Sequence, residues 1–177
     1  MQNKVFLVGL MVMGLFAGGA SAQKNGPRVP YVDKGACPFE CCTYREWSVD
    51  KPTIAHRDMR DASPVSFRLA KGEKITGLTG TVITTRAGIV RVLKKTTLGK
   101  VKLNRGENIF LLTYLGEGFS KIWFKGRIFE EEVTDEKAFK LIRQPISVWW
   151  VKVRNRLGQT GWSRQPDNFG NKDQCGR

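Results

Sequence analysis

From Val65 onward apolar and polar residues alternate in short runs, most of them closed by a glycine, and this period of two predicts strands. The runs are Val65 to Leu69, Lys74 to Leu78, Thr81 to Thr85, Ile89 to Leu93, Lys100 to Leu103, Asn108 to Leu115, Lys121 to Phe124, Arg127 to Glu132 and Val148 to Arg154. Between them Lys71-Gly72-Glu73, Ala87-Gly88, Arg105-Gly106-Glu107, Gly116-Glu117-Gly118, Lys125-Gly126 and Leu157-Gly158 supply the glycine that tight turns use. One stretch, Thr134 to Ile142, reads either as a helix capped by Thr134 or Asp135 or as a polar loop. The pattern as a whole predicts an all-β chain.

The run Leu69 to Thr79 (LAKGEKITGLT) returns as Leu103 to Thr113 (LNRGENIFLLT), with Leu, a basic residue, Gly-Glu, Ile, Leu and Thr in register. The repeated unit suits a strand, a Gly-Glu turn and a second strand. Trp150-Val151-Lys152-Val153-Arg154, followed by Gly158-Gln159-Thr160-Gly161-Trp162, resembles the closing strands of bacterial Src-homology-3-like domains, and the repeated turn looks like the opening of the same fold. That resemblance implies small barrels, two in tandem or one complete barrel preceded by a degenerate half. The expected division is a leader and cysteine cluster at 23–48, a first unit at 49–100, a second at 101–165 and a tail at 166–177 that carries Cys175.

Residues 1–22 combine Lys4, an apolar run from Val5 to Phe16 and the small residues Ala20-Ser21-Ala22, the zones of a secretory signal peptide. The run is shorter than the roughly 18 to 20 apolar residues that span a bilayer, so export without membrane insertion is expected, to the periplasm or beyond. Export also bears on Cys37, Cys41, Cys42 and Cys175, which an oxidising compartment would pair. A bond between neighbours Cys41 and Cys42 would strain the peptide between them. Cys175 is therefore expected to join one cysteine of the amino-terminal cluster while the other two close a short loop, stapling the chain ends together.

The formal net charge of +14 predicts attraction to anionic partners. Arg86, Arg91, Lys94, Lys95, Lys100, Lys102 and Arg105 follow one another with no intervening carboxylate, which suits either an anion site or a strand edge protected by lysine. Alternation on the strand Trp149 to Arg154 sends Trp149, Val151 and Val153 to the core and Trp150, Lys152 and Arg154 to the other face. With Trp123 and Trp162, these last three are the candidate ligand-binding residues, an aromatic groove with cations beside it.

Catalytic and metal signals are sparse. His56 is the single histidine, and Thr53 to Asp58 carries no nucleophile signature. A zinc site from Cys37, Cys41, Cys42 and His56 would need poor vicinal geometry, and the acidic run Glu130-Glu131-Glu132 with Asp135 and Glu136 matches no calcium loop. Neither a recognition helix nor the aromatic motif of an RNA-binding sheet is present. The expectation is a monomeric, cofactor-free, non-catalytic binding protein that recognises cell-wall peptide or glycan, or another envelope protein. The rival readings are a small envelope hydrolase using His56, an accessory unit of one, or an inhibitory or structural envelope protein.

Overall fold

The computed structural model describes residues 26–175, so the expected signal peptide lies outside the described residues. The strands are β1 (Tyr31–Lys34), β2 (Glu46–Val49), β3 (Thr53–His56), β4 (Val65–Leu69), β5 (Lys74–Arg86), β6 (Gly88–Val92), β7 (Thr96–Leu98), β8 (Val101–Leu103), β9 (Asn108–Gly116), β10 (Phe119–Phe124), β11 (Arg127–Glu132), β12 (Phe139–Arg143), β13 (Ile146–Arg154), β14 (Thr160–Ser163) and β15 (Phe169–Gly170). A single 3-10 turn, Pro166–Asn168, precedes β15, and the described residues contain no α-helix. The chain is all-β. The stretch that allowed a helix, Thr134 to Ile142, forms a turn and then β12: Ala138 N and Phe139 N both donate to Asp135 O, and Phe139 is buried opposite Val92.

Three sheets result. One runs in the order β15-β2-β5-β13-β14-β3-β4, with β1 added along β5; a second runs β12-β6-β9-β10-β11; β7 and β8 form a separate hairpin. The expected strands 74–78 and 81–85 are one long strand, β5, whose first part pairs with β2 and whose second part pairs with β1.

The repeated sequence marks a repeated structure. The first repeat takes β2, the β3–β4 hairpin, β5, β13, β14 and β15; the second takes β6, the β7–β8 hairpin, β9, β10, β11 and β12. Within each, the last strand pairs with the first, the first with the long strand, and the two remaining strands follow in order. Gly72 N donates to Val49 O at 2.8 Å as Gly106 N donates to Val92 O at 2.8 Å, and Val49 N and Val92 N donate to Glu73 O and Glu107 O, each at 2.9 Å. Gly72 and Gly106 have φ of 89° and 87°, a conformation that favours glycine and explains its return.

Even the irregularities repeat. Opposite β5, residues Val151, Lys152 and Val153 face Gly80, Thr79 and Gly77, so Leu78 is bulged. Opposite β9, residues Ser120, Lys121 and Ile122 face Tyr114, Thr113 and Leu111, so Leu112 is bulged at the equivalent place. Phe169 lies across from Val49 and Phe139 from Val92, both phenylalanines buried.

These repeats are nested, not tandem. The second begins after β5 and ends before β13, where Arg86 pairs with Ile146. The expected boundary between residues 100 and 101 falls instead in the turn of the β7–β8 hairpin. The reason is that the sequence echo sits in the middle of each repeat, after an opening strand and a hairpin whose pattern is too short to read.

Each repeat has its own core. Trp47, Val49, Ala55, Phe67, Leu69, Ile75, Val151, Val153 and Phe169 form the first, and Val90, Val92, Leu98, Leu103, Ile109, Ile122, Phe124, Ala138 and Phe139 the second. Fully burying a Val, Leu, Ile or Phe side chain contributes about 1.5 to 3 kcal/mol, so each cluster is a substantial source of stability for its repeat. Between the repeats, Thr84 Oγ1 donates to Leu112 O at 2.7 Å. The cysteine cluster and the segment around Cys175 meet on the first repeat, through Cys41–Cys175 and the bridge between Cys42 and Asp173, while Cys37–Cys42 closes a short loop. Disulfides of this kind belong to an oxidising compartment. No helix among the described residues is long and apolar enough to cross a membrane.

Candidate functional site

Strand β13 leaves its turn at Asn155, whose side-chain Oδ1 accepts from Leu157 N and Gln159 N, each at 3.0 Å, and returns as β14. This hairpin sets Lys152 directly opposite Trp162. On either side Lys152 neighbours Thr79 of β5, and Trp162 neighbours His56 of β3, which in turn pairs with Val65 of β4. A transverse row, Val65–His56–Trp162–Lys152–Thr79, therefore crosses the sheet. Lys152 Nζ lies 5.8 Å from the centre of the Trp162 ring, and both side chains are half-buried.

His56 Nδ1 donates to Ser63 O at 2.9 Å, which fixes the ring plane. The Ser63 hydroxyl donates to Asp58, not to the imidazole, so Ser63, His56 and Asp58 are neighbours without forming a nucleophile and base pair. The His56 ring meets Trp150 edge-on with centroids 6.5 Å apart.

The predicted ligand-binding residues divide. Lys152 and Trp162 come together. Trp150 shares their face but is only 5% exposed, so it supports the row from beneath and does not line an open groove. Arg154 is exposed at the end of β13, opposite Thr160. Trp123 belongs to the other repeat, where it packs edge-on against Phe110 with centroids 5.4 Å apart. Trp123 thus lies on a different sheet from Trp150 and Trp162.

The predicted anion-binding residues are all exposed around the second repeat: Arg86 ends β5, Arg91 lies on β6, Lys94 and Lys95 precede β7, Lys100 turns the following hairpin, and Lys102 lies on β8. Among the described residues, Lys94 alone of these has a carboxylate at ion-pair distance, Asp135 at 4.0 Å.

Sequence reasoning considered His56 only for catalysis or zinc and did not place it beside Trp162, and it missed Asp33 altogether. The Asp33 carboxylate is buried and meets Lys121 Nζ at 2.8 Å, with Glu130 at 3.7 Å. Burial works against the Lys121 charge, but the Asp33 hydrogen bond and the Asp33, Tyr31 and Glu130 charges outweigh it and hold the ammonium above its usual range. Burial and the Asp33 charge likewise push the Tyr31 phenol up. No local pattern announces these contacts, since β1 and β10 are distant in sequence.

Two cavities lie elsewhere. One of about 430 Å³ sits in the second repeat, lined by Val90, Leu111, Val133 and Phe139 with Ser120 and Glu136. Another of about 440 Å³ lies beside the disulfides, between Phe39, Glu40 and Glu117. The hydrogen bond and charge of Glu117 push the Glu40 carboxyl up.

Comparison with known proteins finds no matching family model, no matching curated protein and no matching solved structure.

Proposed function

We propose that this is an exported, non-catalytic binding protein made of two nested Src-homology-3-like barrels, which recognises cell-wall peptide or glycan, or another envelope protein, through the Lys152 and Trp162 row. The strand order of each repeat and the 3-10 turn before β15 support the barrel reading, and the hairpin bearing Trp150 to Arg154 and Gly161-Trp162 holds the residues of the resemblance. One observation carries the function: a half-buried tryptophan stands side by side with a lysine that has no carboxylate partner among the described residues. An aromatic plane beside a cation suits a flat or apolar ligand bearing negative charge.

Retention of the purified protein on isolated cell wall tests this. Trp162→Ala should abolish retention with the fold intact, and Lys140→Gln, at an exposed lysine of β12, should leave it nearly unchanged. Retention that survives Trp162→Ala sinks the assignment to this face. Hydrolysis of wall fragments that disappears with His56→Ala would transfer the function to the enzyme reading.

A further inference from the structure

The structure holds two copies of one architecture, so the same position can be compared in both. Lys152 and Lys121 occupy equivalent places: each stands beside the bulge, opposite Thr79 and Thr113 respectively, and each precedes a buried apolar residue, Val153 or Ile122. On the adjoining strand, Trp162 faces Lys152 where Glu130 faces Lys121. The two lysines then differ in what surrounds them.

Lys121 is neutralised from within. Its ammonium meets the Asp33 carboxylate at 2.8 Å and Glu130 at 3.7 Å, and Asp33 is delivered by an extended segment, Tyr31–Lys34. Lys152 has no carboxylate at ion-pair distance among the described residues, and its strand neighbours are Trp162 and Thr79. Three acids of the first repeat have other partners. Glu46 is bound to Lys74 at 2.8 Å, Asp58 to Ser63 and Arg60, and Asp61 to Arg164.

We propose that Lys152 and Trp162 bind the side-chain carboxylate of an extended peptide, as Lys121 binds Asp33 of the chain's own β1. The first repeat thus lacks the acid that the second carries, and a ligand supplies it. Lys152 anchors the carboxylate, and the Trp162 ring, standing where the second repeat has Glu130, offers a flat apolar surface to the rest of the peptide. That ring selects an organic carboxylate over a bare inorganic anion, which has nothing to lay against it. This inference rests on the proposed binding face and names the chemistry it takes.

The test uses the purified protein and the blocked peptide Ac-Tyr-Val-Asp-NH2, its Asn counterpart, and inorganic phosphate. Binding is followed by the indole N–H resonance of Trp162, assigned with Trp162→Phe. The Asp peptide should shift this resonance saturably and bind at least about tenfold more tightly than the Asn peptide, a difference of about 1.4 kcal/mol. Lys152→Gln should erase the difference while its spectrum stays otherwise native, and Lys140→Gln, at an exposed lysine of β12, should preserve it. Equal binding of the two peptides, an Asp preference that survives Lys152→Gln, no shift with either peptide, or displacement by equimolar phosphate would each overturn the proposal. Wall retention separates the two readings: if it needs Trp162 but not Lys152, the binding face stands and the carboxylate inference falls. If it needs neither, the face loses its role as wall binder, and the peptide titration decides the carboxylate inference alone.

Discussion

Gly77 and Gly80 lie inside β5, where glycine ordinarily weakens a strand, and both make room for aromatic rings. A methyl at Gly77 would sit 2.6 Å from Trp47, and one at Gly80 would collide with Tyr44 and Trp149. The same crowding explains the Tyr44 phenol: burial drives it up to about 12, only partly offset by Trp149, and its hydroxyl donates to Ala36 O at 2.5 Å. Trp149 packs on this cluster, with Val151 and Val153 beyond it, as the alternation of β13 requires. Trp150 is also buried, though on the other face. We therefore expect Trp150→Ala to cost about 3 to 5 kcal/mol in urea unfolding, the range for deleting a buried large ring, and Trp162→Ala, half-buried, to cost clearly less. Comparable losses at the two positions would show that Trp162 is a packing residue. The faces of β13 were legible because alternation is local. The burial of Trp150 was not, because the His56 edge against it comes from β3, which reaches β14 through one residue pair.

At the scale of elements, the recurring Leu-x-basic-Gly-Glu turn was legible because each of its positions answers a physical demand. Leu69 and Leu103 are buried, Gly72 and Gly106 need positive φ, and the glutamates close the turn by accepting from Ala70 N and Asn104 N at 2.7 Å. Strands β3, β7 and β15 have no such demands and are too short for a period to show. Glu107 is held below the usual carboxylate range by the backbone N–H of Asn104 first and by Lys125 beside it. A carboxyl depressed in the folded state contributes stability above its unfolded value, near 4.3, which is lost as pH falls through the folded value. Glu107→Gln should therefore lower stability by about 1 kcal/mol at pH 7 and flatten the loss of stability below pH 4.5. Urea midpoints taken from pH 7 down to pH 3 measure this. A variant that keeps the full acid slope would place the titration at another group.

Nesting belongs to the whole molecule and left no mark that a local reading finds. It rests on the pairing of β5 with β13, which brings Arg86 beside Ile146 across the entire second repeat. Contacts so far apart in sequence carry no period, and only the cysteines hinted that the segment around Cys175 returns to the amino-terminal cluster. The Cys41–Cys175 bond spans a sequence separation of 134, for which chain entropy predicts about 4 to 5 kcal/mol, and it closes the first repeat around the second. If each repeat folds on its own core, the inner one can be removed. Replacing residues 87–145 by Asn-Gly would turn the Arg86–Ile146 pair into the base of a two-residue hairpin, a length that suits antiparallel strands. Asp33→Asn should accompany the excision, since the buried carboxylate would otherwise lose Lys121. The shortened chain should unfold cooperatively in urea, with a smaller dependence on denaturant because less surface is exposed, and should keep both disulfides. A chain without a cooperative transition would mean that the outer repeat needs the inner one to fold, and that the Thr84 to Leu112 contact and its neighbours bind the two into a single cooperative unit.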